Sequence, residues 1–395
     1  MSMTPGLSPF PRPAAFQSHA SLTRVVFRPG AVDEAGPELA RLGGRRPLVL
    51  ASRRSRAMPQ YGRLVDALGA SAAQSIDVPP HSSIETVERV ARDIGRHDAD
   101  CLVAFGGGSV IDTAKAAALR VAEGGELARH ATRFTPPGTV HVPALRRPKL
   151  PILAVPLTAS GAEMTPSFGI AHGAGKLLFW DERCACRVVL LDPDLNIGIP
   201  ARIMLDTGMN GLAHCLEGLY SGQRSPFSTA LALDGLARFA AALPAVAERP
   251  GDVLARADLL IAANLAGIVL ASARSCLHHA LCHVLGSRCG VAHGAANAVM
   301  LPHVADYNLP AASAELAMAA GALSGGRETR PEAVAVRLRA LQRAVGAPSR
   351  LRDLGVAAEA LPEVAREALG ERGLAFNPRR VAGVDELRQL LEAAW

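Results

Sequence analysis

The sequence predicts an α/β amino-terminal domain built on a parallel sheet, followed by an all-α carboxy-terminal domain. Three observations carry this. Short apolar runs alternate with helix-period segments through the first half, the pattern of strand–helix–strand units. A run of glycines sits between a buried strand and a helix. After about Pro200 no convincing strand appears, and long Ala/Leu-rich stretches take over. The 395 residues suit two domains. The expected units are an extension over 1–22, an α/β domain over 23–195 and a helical domain over 196–395.

Taken in order, Arg24–Phe27 reads as a short strand ending in the turn Arg28-Pro29-Gly30, and Glu34–Leu42 has helical spacing. Pro47–Ala51 is a buried strand, and Tyr61–Leu68 is helical. Ser83 caps an amphipathic helix running to Ile94. Cys101–Phe105 is the next strand, with a helix opening near Val110. The polar, Pro-rich stretch Gly124–Lys149 reads as a surface excursion before a strand at Pro151–Pro156. Beyond Leu190–Asp194 come helices at Ser228–Leu243 and Val253–Ser272. The last is Asp385–Ala394, with Asp385 as its cap and Leu387, Leu390, Leu391 and Ala394 on one face.

Composition narrows the function. With 49% hydrophobic and 20% charged residues, the chain is not a disordered one. No uninterrupted apolar run reaches the ~18–20 residues of a bilayer span, and the first residues hold no apolar signal core. Seven cysteines without an export signal imply reduced thiols in a cytoplasm, and Cys184-x-Cys186 reads as two ordinary thiols. The charge of +6 forms no basic tail, so neither nucleic acid nor membrane is an expected partner. Of 42 Lys and Arg residues only Lys115, Lys149 and Lys176 are lysines, which hints that a compact ammonium is wanted at each.

The loop Gly106-Gly107-Gly108-Ser109 lets the backbone approach a ligand closely, and the helix after it aims N–H groups into the crevice. A pyrophosphate fits there, with Asp112 and Lys115 on the same helix. A second turn, Thr158 to Thr165, follows another strand end, where α/β sheets bind ligands. Thr158, Ser160 and Thr165 would line ribose and nicotinamide, and Lys176 is grouped with these cofactor contacts. After the strand Leu48–Leu50 come Ser52, Arg53 and Arg54 rather than a carboxylate, and arginines there can pair with a 2′-phosphate, so NADP is tolerated as well as NAD. In the helical half, Asn210 and His214 are one turn apart, as are His279 and His283; His278 and His293 stand nearby, and His293 follows the turn Gly286–Gly290. Four imidazoles within sixteen positions suggest a site, either as iron or zinc ligands or as general acids.

These motifs together resemble the iron-containing alcohol dehydrogenase superfamily over roughly residues 22–395. The resemblance rests on Gly106–Lys115, Pro156–Pro166, Asp192-Pro193, Thr207–Glu217, His293–His303 and Asn377-Pro378-Arg379. Gly161–Pro166, Gly208–Tyr220 and Leu277–Gly286 are most similar to the maleylacetate reductase branch. The resemblance implies the dehydroquinate synthase-like architecture, with a Rossmann-like first domain, and a homodimer acting on a small molecule. It implies catalysis by His214, His279, His283 and His293. The superfamily's metal set of one Asp and three His falls on Asn210, His214, His279 and His293. The Asp position is therefore an amide, as in the maleylacetate reductase branch, which works without iron. The implied reaction is hydride transfer between a nicotinamide and a small carbonyl or enone, with a metal-dependent alcohol dehydrogenase or an NAD-using lyase as alternatives. A dicarboxylate substrate would require a cation, for which Arg274 and Arg288 are candidates.

Overall fold

The computed structural model describes Phe16 and residues 22–395 apart from 81, 136–138 and 174. Most of the expected extension lies outside these residues. Among the described residues there are ten strands: β1 Arg24–Phe27, β2 Pro47–Ala51, β3 Ala73–Asp77, β4 Cys101–Gly106, β5 Arg133–Thr135, β6 Thr139–His141, β7 Ile152–Pro156, β8 Ser167–His172, β9 Gly175–Trp180 and β10 Val188–Leu191. Six form one parallel sheet in the order β1-β10-β7-β4-β2-β3. The interior strands β2, β4, β7 and β10 are buried along their whole length. That explains their continuous apolar runs, because a parallel sheet is covered on both faces.

Alternate side chains go to opposite faces. Leu48, Leu50, Leu102, Ala104, Ile152 and Ala154 pack beneath the helices Ile84–Arg96 and Gly108–Glu123. Val49, Val103, Phe105, Leu153 and Val155 join a core that continues into the helical half. That half is built from nine helices among the described residues, beginning with Ala201–Tyr220, Pro226–Glu248, Val253–Ala273, Leu277–Cys289 and His293–Asn308. Pro226–Glu248 and Val253–Ala273 are long and apolar enough to cross a membrane. Both instead pack in the helical core, burying Phe239, Leu243, Leu259 and Leu260.

Several local expectations are corrected. The glycine-loop helix opens at Gly108, two residues before Val110. Gly124–Lys149 is not a plain surface excursion. It contains the β5–β6 hairpin, and Lys149 is buried against Glu123 at 2.5 Å and Asp181 at 3.0 Å. The hairpin β8–β9 and the strands β3 and β10 add to the strands expected from sequence. Gly286 lies inside the helix Leu277–Cys289, and the chain turns only at Gly290, whose φ is +67°. The last helix is Val384–Ala394 with Gly383 at its cap position. Asp385 therefore sits in the first turn, where a carboxylate still favours the helix dipole.

Candidate active site

The carboxyl ends of β4 and β7 lie side by side, with Gly106 paired to Pro156 and Leu157 N–H donating to Gly106 O at 3.0 Å. This register sets the two turns singled out in the sequence against each other. A Cβ on Gly107 would meet Thr158 Cγ2 at 3.0 Å, and one on Gly108 would meet Ser160 Oγ at 3.4 Å. Glycine is required because side chains would close the gap between the loops. No side chain caps the helix Gly108–Glu123, so its N-terminal dipole is directed at this crevice. The loop chemistry and the uncapped helix end fit a dinucleotide pyrophosphate.

Lys115 anchors the second turn from below. Its side chain is fully buried, and Nζ donates to Ala162 O at 2.5 Å and Thr165 O at 2.6 Å. Asp112 Oδ2 accepts from Gly169 N–H at 3.1 Å, tying the helix to β8. Burial pushes Asp112 up, against the pull of Lys115 and Lys176. Lys176 lies across Gly169 on the paired strand β9. Ser52 caps the short helix Arg53–Arg56 by accepting from Ser55 N–H at 3.1 Å.

The helix Ala201–Tyr220 connects the nucleotide side to the imidazoles. Thr207 Oγ1 accepts from Ala159 N–H at 3.0 Å, and a Cβ on Gly211 would lie 3.2 Å from Ala159 O. Asn210 and His214 follow Thr207 at one-turn intervals on that helix. The structure brings together His214, His279, His283 and His293. Ring centroids are 4.5 Å apart for His214–His279, 5.8 Å for His279–His293, 6.2 Å for His279–His283 and 5.7 Å for His283–His293. His279 is held on both sides, by Glu217 Oε2 at 2.5 Å from Nδ1 and Asn210 Oδ1 at 3.1 Å from Nε2. Glu217 also accepts from the His279 backbone N–H, at the start of the helix Leu277–Cys289.

Burial is the main influence on these groups. It holds His214 and His293 well below the usual imidazole range and takes His279 to about 3. Burial also pushes Glu217 up, against the pull of His278 and of the backbone N–H groups at the start of the helix Leu277–Cys289. His214 Nδ1 is buried without a hydrogen-bond partner. His283 and His293 are half-buried; the His283 side chain is 29% exposed, with Nδ1 3.3 Å from Glu371 Oε2.

The superfamily's metal positions do not fit a tightly held divalent cation. Asn210 brings no charge, and the three imidazoles are neutral. His214 and His279 stack at 18° between planes, and among the described residues the nitrogens of His214, His279 and His293 do not group within 4.8 Å of one another. Iron or zinc needs nitrogen donors at ~2.0–2.1 Å about one point. Among the described residues, Glu217, His278 and His279 are the three donors whose ligating atoms lie within 4.8 Å of one another. There Glu217 and His279 bond to each other, and His278 Nε2 faces Asn297 O at 3.1 Å.

Some functional candidates were invisible in the sequence. The missing carboxylate after β2 comes from β3, where Asp77 Oδ1 accepts from Arg53 N–H. Arg288 is spent on the surface pairs with Glu363 and Glu367. Arg274 instead lies 3.4 Å over the Trp180 ring. Glu217 had one detectable signal, an acid inside the apolar run Leu216–Leu219 of a helix.

The comparisons with known proteins cover nearly the whole chain. The model described as "Iron-containing alcohol dehydrogenase" matches residues 23–193, and "Fe-containing alcohol dehydrogenase family, C-terminal" matches 204–395. Maleylacetate reductase 2 of Cupriavidus pinatubonensis is 35% identical over 384 residues, covering 96% of each chain. The crystal structure of maleylacetate reductase from Agrobacterium tumefaciens superposes with a TM-score of 0.82 at 31% identity, covering 96% of this chain and 98% of that one. A 1,3-propanediol oxidoreductase structure gives a TM-score of 0.89 at 28% identity, covering 96% of this chain and all of the other.

Proposed function

The chain belongs to the iron-containing alcohol dehydrogenase family and is an NAD(P)H-dependent oxidoreductase, and from that premise we propose that it reduces a small dicarboxylate carrying a carbonyl or enone, with maleylacetate the model substrate and no resident metal. The observation that carries this reading is the set of imidazoles around His279, joined through one helix to the glycine-loop crevice.

Gly107, Gly108 and Ser109 would hold the pyrophosphate, while Thr158, Ser160 and Thr165 would flank the ribose and nicotinamide. A reduced nicotinamide held there would supply hydride for the electrophilic carbon of the substrate, leaving negative charge to be stabilised on the substrate oxygen. His214, with its unpartnered Nδ1, would stabilise that charge by hydrogen bonding in a water-poor site, while Glu217 and the Asn210 amide hold the His279 ring stacked against it. Both nitrogens of His279 are engaged, so His283 is the better proton donor, oriented by Glu371. The metal-dependent alcohol dehydrogenase and the NAD-using lyase both need a firm metal site, which the Asn210 amide and the stacked rings do not support. NADH is the preferred cofactor on this reading, because Asp77 would repel a 2′-phosphate beside Arg53.

We also take the protein to act in the cytoplasm as a homodimer. All seven cysteines are free. The edge strand β1 exposes Val25 and Phe27, an edge that a second copy could extend. A solution mass of one chain would contradict the dimer.

Following NADH and NADPH oxidation against maleylacetate and a panel of small aldehydes tests the reaction. NADH turnover on maleylacetate well above that on any aldehyde is expected. Turnover confined to aldehydes would overturn the substrate assignment.

A further inference from the structure

On the proposed reading the imidazole cluster stabilises the charge left on the substrate by hydride transfer and returns a proton, which leaves a group of cations beside it without a task. A cavity of about 120 Å³ is lined by Thr132, Arg133, Lys176, Glu371 and Arg372 among others. It shares a wall with the cluster, since Glu371 Oε2 stands 3.3 Å from His283 Nδ1. Lys176 is close enough to His293 and to Asp112 to act electrostatically on both.

The two arginines in this region are unusually placed. Arg372 Nη2 donates to Ser167 Oγ at 3.3 Å. Arg274 stacks on Trp180 and holds a left-handed φ of +69°, a strained conformation for a residue with a side chain. Among the described residues no carboxylate lies within ion-pair distance of either guanidinium. Burial lowers both, Arg274 to about 10, and their mutual repulsion adds to the effect at Arg274. Glu182 and Glu371 attract these cations only at range, and Glu371 already faces His283.

The two guanidiniums are half-buried and Lys176 is exposed at the rim; a half-buried guanidinium without an ion pair recovers little of its lost hydration. Here the fold gathers two guanidiniums and an ammonium beside a small cavity at the reaction centre, an arrangement that a carboxylate would complete. We propose that Arg372 and Lys176, supported by Arg274, form the subsite that takes one carboxylate of a short dicarboxylate substrate while its carbonyl or enone faces the imidazoles. Arg372 is the main contact, because its fork can bind both oxygens of a carboxylate. Arg274 sets the local positive potential from its place on Trp180. This rests on the reduction reading and adds the group that separates anionic substrates from neutral aldehydes.

The test uses the intact protein with NADH bound and maleate, a four-carbon dicarboxylate, as the probe in calorimetry. Arg372→Met is expected to weaken maleate about ten- to a hundredfold, with Arg372→Lys recovering part of the loss. Lys176→Met is expected to weaken it at least about threefold. In turnover, the KM for maleylacetate rises by a similar factor, kcat changes little, and the KM for a neutral aldehyde stays put. A folded Arg372→Met that binds maleate like wild type overturns the subsite, as does wild type that does not bind maleate. If Arg372→Met fails to fold, Lys176→Met decides, and unchanged maleate binding in that variant overturns the proposal. Wild type that binds maleate through Arg372 but reduces only aldehydes would sink the reduction reading and leave the subsite standing. Wild type that reduces maleylacetate with an Arg372-independent KM would do the reverse.

Discussion

His279 is clamped between Glu217 and Asn210, and the proposed chemistry depends on that clamp. His279→Ala is expected to cut kcat on maleylacetate by about a hundredfold or more while leaving the Kd for NADH nearly unchanged. Unchanged turnover would remove the cluster from the mechanism. On the proposed reading, Asp77→Asn should improve kcat/KM for NADPH relative to NADH by about tenfold, since it removes the charge that would repel a 2′-phosphate beside Arg53. His278 gives a pH prediction. Its pKa is about 4 in the fold, lowered chiefly by burial, against 6.5 for the free side chain. As pH falls from 6.5 to 4, the unfolded chain takes up this proton and the folded chain does not, so the group loses about 1.4 kcal/mol of stability per pH unit. The stability gap between wild type and His278→Gln should therefore narrow as pH falls across that window, as read from urea unfolding. The histidines and the glycine loop were legible because helical spacing and a strand–turn–helix context are local signals. Asp77, Glu371 and Arg372 were not, because each acquires its role from a partner brought near only by the fold: Arg53, His283 and Ser167.

Within the elements, the turn from Thr158 to Thr165 is held by contacts from two sides. Lys115 bonds two of its carbonyls, and Gly161 with φ +71° lies against the backbone of Ala263 and Gly267 in the helix Val253–Ala273. Lys115→Met leaves the Thr165 carbonyl without a donor and Ala162 O with only the long bond from Thr165 N–H at 3.4 Å, a loss of about 2–4 kcal/mol. The Kd for NADH should rise with it, measured by fluorescence titration. A variant as stable as wild type would show that the turn does not depend on the ammonium. The long helices and the buried strands β2, β4 and β7 could be read from period and apolar runs, and Ser83 caps its helix as the sequence indicated. The edge strand β3 and the hairpin β8–β9 were hidden. β3 carries Gln74 and Asp77 in a five-residue stretch, and β8–β9 is short and interrupted by Gly169, Gly173 and Gly175. Such segments pair because the sheet and the helix Gly108–Glu123 give them a neighbour, which local pattern does not record.

At the scale of the whole molecule, the parallel sheet supplies a crevice and the helical half supplies the imidazoles, with the helix Ala201–Tyr220 touching both. That division was legible from the change of pattern near residue 200. What the sequence could not decide is whether the imidazoles serve a metal or act directly, because it shows the Asn210 substitution and not the ring geometry. The stacked His214 and His279 and the uncharged donor set favour direct action. The most direct measurement is the rate of NADH oxidation with maleylacetate by protein stripped with a strong chelator to under about 5% metal per chain. The account predicts the same kcat as untreated protein and no stimulation by added Fe²⁺ or Zn²⁺. Activity lost on stripping and restored by either ion would contradict it.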